Sequence, residues 1–227
     1  MKKNKILRLA SVMLMLCLIT TCAISGTFAK YTTSGTASDT ARVAKWGVVL
    51  EVSGNDKAFA TAYEDDVANA SGTEVKASTK VVAPGTEGVL ATYKFTGTPE
   101  VAFTLTAVVD FELGDGWTAS GYYCPLEVKI GSTVIKGTTY ANVTEFEEAV
   151  EDAIATLIFG EAVDDTTDGT YAKDYVVGDT VPQVGTATNI EWKWAYTGND
   201  DGKDTLLGDA GSATVTFSLN VSATQID

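Results

Sequence analysis

The sequence predicts an all-β protein, a jelly-roll-like β-sandwich interrupted by one amphipathic helix at about 144–159. Three observations carry that prediction. Apolar residues alternate with polar ones over many short stretches, which sends side chains to opposite faces of a strand. The intervening positions are rich in threonine and the connections in glycine, as in antiparallel sheet with one wet face. One stretch alone switches to helical spacing. Strand number and spacing suit a two-sheet sandwich.

The strands follow in chain order. Ala44, Trp46, Val48, Leu50 and Val52 form the first stripe. Val89, Ala91, Tyr93 and Phe95 form the second, with Leu90, Thr92, Lys94 and Thr96 assigned to the opposite face. Val101, Phe103, Leu105, Ala107, Val109 and Phe111 form a longer one. Leu126, Val128 and Ile130 lead into Gly131-Ser132, and Thr133 to Lys136 returns as a hairpin, since glycine supplies the positive φ of a two-residue turn. Ile190, Trp192, Trp194 and Tyr196 alternate with Glu191 and Lys193. That alternation favours core packing over an exposed carbohydrate-stacking face. Ala213, Val215, Phe217, Leu219, Val221 and Ala223 make the clearest strand of all. In the helix, Thr144 is the expected N-cap, with Glu147 completing a capping box. Phe146, Ala149, Val150, Ala153, Ile154, Leu157 and Ile158 share one face, and Glu145, Glu148, Glu151 and Asp152 the wet one. The stretches 63–74, 161–168 and 199–209 read as acidic loops.

The chain has 227 residues and no histidine. This excludes Ser-His-Asp and Cys-His catalysis and the HExxH zinc site. The expectation is that the protein is not an enzyme. It carries 16 basic and 30 acidic residues. Lys2, Lys3, Lys5 and Arg8 lie in the first 29 residues, which hold no acid, so the remainder has 12 bases against 30 acids and a net charge of −18. Such a surface argues against nucleic acid as a partner.

Met1 to Arg8 is basic, Leu9 to Ile24 is apolar, and Ser25-Gly26-Thr27-Phe28-Ala29 is small-residue-rich. This is the layout of a secretory signal peptide cut between Ala29 and Lys30. The domain reading is therefore a signal peptide at 1–29, an N-terminal segment at 30–43 rich in Thr, Ser, Gly and Ala, and one sandwich at 44–227. Cys17 and Cys22 leave with the leader. Cys124 remains, either as a small buried apolar side chain or as half of an intermolecular disulfide.

The acidic loops raise calcium as the only cofactor expectation. Asp200, Asp201 and Asp204, and Asp164, Asp165 and Asp168, sit in glycine-containing loops with hard oxygen ligands. Neither loop has EF-hand spacing, and solvated acidic loops are the alternative.

Gly26-Thr27-Phe28-Ala29-Lys30-Tyr31, followed by Ser38-Asp39-Thr40-Ala41-Arg42-Val43-Ala44 and a strand, resembles the leader junction of the TasA/camelysin group of secreted Gram-positive proteins. Val82-Ala83-Pro84-Gly85-Thr86 resembles that group's turn ahead of a strand, and the blocks 191–196, 204–208 and 221–227 resemble a clostridial branch. The first strand departs from the group's Gly-x-Leu-x-Leu, having Lys45-Trp46-Gly47-Val48-Val49-Leu50. The resemblance implies processing by a SipW-type signal peptidase and a jelly-roll domain at the cell surface or in the biofilm matrix. It further implies self-assembly into fibres, with the segment exposed by cleavage donated as a strand to the next subunit. Tyr31, Ala37, Ala41 and Val43 are the donor residues so mapped. The protease activity ascribed to camelysin is not expected of a chain without histidine. The competing expectation is a monomeric surface module, calcium-stabilised or not, that binds carbohydrate, a cell-wall or matrix component, or a host protein.

Overall fold

The computed structural model describes residues 4–25, 43–54, 59, 82–119, 121–182, 184–195 and 200–226. The chain divides into two compact units, Met1–Ala44 and Lys45–Asp227. In the first, α1 (Asn4–Ser25) holds the apolar run that begins at Leu9. Among the described residues no helix is long and apolar enough to cross a membrane.

The second unit is mostly β, two antiparallel sheets facing each other, as the alternation requires. Its strands are β1 (Val48–Gly54), β2 (Glu87–Gly97), β3 (Phe103–Leu113), β4 (Leu126–Ile130), β5 (Thr133–Lys136), β6 (Asp165–Thr167), β7 (Thr170–Tyr175), β8 (Val184–Trp194) and β9 (Val215–Gln225). One sheet has the order β1-β2-β8-β4-β5, the other β6-β7-β3-β9. The chain crosses between sheets at β2→β3, β3→β4, β5→β6, β7→β8 and β8→β9. These repeated crossings give the jelly-roll character. Two helices complete the unit, α2 (Val143–Phe159) and α3 (Asp201–Ala210).

The core lies between the sheets. Phe103, Leu105, Ala107, Val109, Phe111 and Leu113 of β3 are buried, while the alternate positions stay at least partly exposed. Val128, Ile190, Trp192 and Trp194 face them from the other sheet. Each such large side chain contributes about 1.5–3 kcal/mol by leaving water. The β4–β5 hairpin turns at Gly131, whose φ of 59° needs a residue without a side chain. Trp192 and Trp194 are core residues rather than an exposed sugar-stacking face, and Tyr196 lies outside the described residues.

Four expectations are corrected. Leu90 is not on the wet face. A bulge between Val89 and Ala91 turns the strand so that Leu90 and Ala91 are both buried. The α2 N-cap is Asn142, not Thr144. The Glu145 N–H donates to Asn142 Oδ1 (2.9 Å), and the Glu145 carboxylate reaches back to accept from the N–H of Ala141 (3.1 Å), the residue before the cap. Glu147 is thereby freed, and Glu151 is half-buried rather than solvated, while Asp152 is exposed as expected. Glu147 and Glu151 bond to β3, and Asp152 accepts from the Tyr171 hydroxyl (3.0 Å). Finally, the acidic loops hold regular structure. The stretch 161–168 contains β6, and 199–209 contains most of α3. The stretch 63–74 lies outside the described residues.

Candidate functional site

The sandwich has two very different sides. On one, α2 lies against β3, β4 and β5, with Phe146, Val150, Ile154 and Ile158 fully buried. On the other lie β1 and β9, the terminal strands of their sheets and near neighbours.

β9 pairs with β3 along its whole length, from Phe103↔Gln225 to Leu113↔Val215. Among the described residues no strand pairs with its other side. The Ile226 N–H donates to Ala102 O (3.0 Å) and Thr214 O accepts from the Gly114 N–H (3.0 Å). Even-numbered backbone groups of β9 therefore point at β3, and the odd-numbered ones, at Phe217, Leu219, Val221 and Ala223, point at the open edge. The side chains of those odd positions face the core but are only half-buried.

The composition of this edge is unusual for an exposed one. Proteins protect open edges with short strands, charges, prolines or bulges. The other terminal strands among the described residues are shorter, seven residues in β1, four in β5 and three in β6. β9 has eleven residues, Val-Thr-Phe-Ser-Leu-Asn-Val-Ser-Ala-Thr-Gln, with no charge and no proline. Its register against β3 has no bulge.

An apolar groove of about 740 Å³ runs beside the start of β9, lined by Phe59, Val82, Trp117, Trp194, Leu207 and Phe217 among others. The elements around it are pinned by specific bonds. The Trp117 indole N–H donates to Thr214 O (2.7 Å). The Tyr123 hydroxyl donates to Asp204 Oδ1 (2.9 Å) and accepts from the Asp200 N–H (3.1 Å), tying α3 to the loop before β4. Burial raises the Asp204 carboxyl, the Tyr123 bond opposes this, and Asp201 adds to the rise. The indole N–H of the buried Trp194 points toward the Asp204 carboxylate without reaching hydrogen-bond geometry. The turn ahead of β2 walls one side. Gly85 donates to Trp194 O (2.8 Å), and Thr86 is tied to Ala83 through its backbone N–H and its hydroxyl.

The predicted site residues fall out as follows. Ala29, Lys30, Tyr31, Ala37 and Ala41 lie outside the described residues. Val43 is exposed. Asp200 is the N-cap of α3, accepting from the Gly202 and Lys203 N–H groups (3.1 Å each). Asp201 and Asp204 occupy its first turn. Asp165 shapes the β6–β7 turn. Its Oδ1 accepts from Thr167 and Thr170 and its Oδ2 from Gly169. Asp164 precedes β6, and Asp168 is in that turn. Among the described residues no three His, Cys, Asp or Glu side chains converge as a metal-binding group. Cys124 is fully buried, and burial pushes its thiol up to about 12. An intermolecular disulfide would require the core to open.

Sequence reasoning missed Glu147 and Glu151. The Leu113 N–H donates to Glu147 (2.6 Å) and the Phe111 N–H to Glu151 (3.0 Å). β7 has ended by then, its last pair being Val108↔Thr170. The fit is geometric. Four helical residues rise about 6 Å, and two strand residues about 6.7 Å, so carboxylates at i and i+4 meet alternate N–H groups of a strand. No spacing within α2 signals this, because the partner is set by topology.

Comparisons with protein-family models, curated proteins and solved structures return no match to this chain.

Proposed function

We propose that the protein is an exported structural subunit, similar to TasA-type surface or biofilm-matrix fibre proteins, that self-associates by strand addition at the open edge of β9. The observation that carries the reading is that edge itself, eleven residues long, uncharged and, among the described residues, paired with no strand on its outer side, in a chain of net charge −14. An added strand satisfies the odd-numbered N–H and C=O groups and covers the half-buried side chains behind them. The donor in this reading is 30–43 of another copy, released when a SipW-type signal peptidase cuts between Ala29 and Lys30. A contact between one copy's N-terminal segment and another copy's edge is heterologous and does not close on itself, so it propagates into a filament. The repulsion of a strongly acidic chain sets a salt dependence on assembly, because screening over about 8–10 Å weakens it. Calcium, as a divalent cation, is expected to promote assembly through the same screening.

The test is electron microscopy with size-exclusion chromatography. The chain beginning at Lys30 is compared with one carrying extra residues ahead of Lys30 and with one lacking 30–44. Filaments from the authentic N-terminus alone are expected, with folded monomers from the other two. Monomers from all three, with and without calcium, would favour the second reading, a monomeric surface-binding module. The feature that supports that alternative is the apolar groove beside the start of β9, which would take a ligand.

A further inference from the structure

The seam between α2 and β3 joins two carboxylates to backbone N–H groups in surroundings that are all acidic. Glu151 Oε1 accepts from the Phe111 N–H (3.0 Å), and Glu147 Oε1 from the Leu113 N–H (2.6 Å). The charged groups that face them are Asp110 and Glu112 of β3 and Asp168 of the β6–β7 turn, with Glu147 and Glu151 also facing each other. Among the described residues the remaining packed elements bring no cation named beside either glutamate. Glu127, Lys129 and Lys136 of β4 and β5 are engaged in ion pairs on the outer face of their sheet, with Lys193 and Glu191 of β8. The neighbours of Glu147 on the loop before β4, Tyr122 and Cys124, are neutral. Asp152 and Asp165 lie further along, around the Tyr171 hydroxyl. The turn is also fixed in place. The Val109 N–H donates to Gly169 O (2.8 Å), and a Cβ on Gly169 would sit 2.1 Å from Val109 O, so Asp168 is held beside the seam.

We propose that the α2–β3 seam is a pH-dependent clasp, which holds the backbone at Phe111 and Leu113 tightly while a proton is shared into the glutamate pair and loosely once both carboxylates are ionised. A proton on Glu151 Oε2 leaves Oε1 free to accept from Phe111, so the hydrogen bond survives protonation while the repulsion is removed. Burial is the largest cause that raises Glu151, to about 7, against the Phe111 bond, and Asp168, Asp110 and Glu147 raise it further. Glu147 is raised too, again by burial first, then by Glu112, Asp110 and Asp168 against its Leu113 bond. The sign follows. The closed seam holds a proton that an exposed glutamate, at about 4.3, has already lost. The stabilisation is therefore complete below that value and is lost as the pH rises through about 7. This clasp is independent of the proposed assembly through β9 and lies at the other edge of β3.

Hydrogen exchange followed by NMR tests it. After correction for intrinsic exchange, protection of the Phe111 and Leu113 amides should fall on the order of tenfold between pH 5 and 8, a figure already discounted for partial solvent access. Leu105, in the same strand but paired on both sides, reports the global loss of stability that the same linkage imposes, and the comparison with Glu151→Gln separates it from other effects of pH. Glu151→Gln keeps an acceptor and cannot ionise, so its profile should be flat. Asp168→Asn should move the midpoint to lower pH. A carboxyl-carbon titration of the wild-type protein reads the same group without mutation, with a midpoint near 7 expected for Glu151. Flat wild-type protection, an undiminished fall in Glu151→Gln, or a Glu151 midpoint in the ordinary carboxylate range would each overturn the proposal.

Discussion

The α2 side of the sandwich and the β9 side solve the same problem in opposite ways. Both must deal with one edge of the sheet that contains β3. Beside α2, a helix brings glutamates to the backbone N–H groups that β7 no longer reaches, and its apolar face seals the core. At β9 the sheet ends, among the described residues, with odd-numbered backbone groups that no strand pairs and with side chains half-buried. The difference teaches that one edge of this sheet is covered from within the described fold, while along the eleven residues of the other no described strand pairs on the outer side.

The comparison breaks first at the core. Ile154→Ala in α2 removes a fully buried side chain and should cost about 3–4 kcal/mol in urea unfolding. Leu219→Ala in β9, half-buried, should cost about 1–2 kcal/mol. Equal losses would mean that the β9 side is as well sealed as the α2 side. Next in size, Glu147→Ala leaves the Leu113 N–H without its acceptor and should cost about 1–2 kcal/mol. Asn142→Ala, removing the N-cap, should cost about 1 kcal/mol, whereas Thr144→Ala should stay within about 0.5 kcal/mol. The smallest expected effect on stability is Asn220→Lys with Ser222→Lys, on the exposed face of β9, within about 0.5 kcal/mol. The same pair should abolish filaments in electron microscopy, since charge on an edge strand opposes pairing.

The contrast between the sides also tracks what the sequence makes legible. β3, β9 and the β4–β5 hairpin follow from alternation, because each keeps an apolar face, and only Val108 and Val134 break the polar one. β7 does not, because Lys173 sits between the inward Tyr171 and Tyr175 and reaches over the Tyr175 ring at 5.0 Å. α3 is hidden by its acidic, glycine-containing composition. Asp200 caps it, and what ties it down is Tyr123, 81 residues before Asp204. Leu90 is misplaced because a bulge leaves no periodic trace in β2. The open edge of β9 and the glutamates at the β3 seam share one reason for being illegible. Both depend on which strand stops where in three dimensions, and local pattern records faces, not neighbours.

Amide hydrogen exchange along β9, measured on the monomer and again on the assembled protein, tests the central claim most directly. In the monomer the amides of Phe217, Leu219, Val221 and Ala223 should exchange quickly, while those of Ser218, Asn220 and Ser222, bonded to β3, should be protected. On assembly the odd-numbered set should become protected as well. Odd-numbered amides already protected in the monomer, or still unprotected in filaments, would contradict strand addition at this edge.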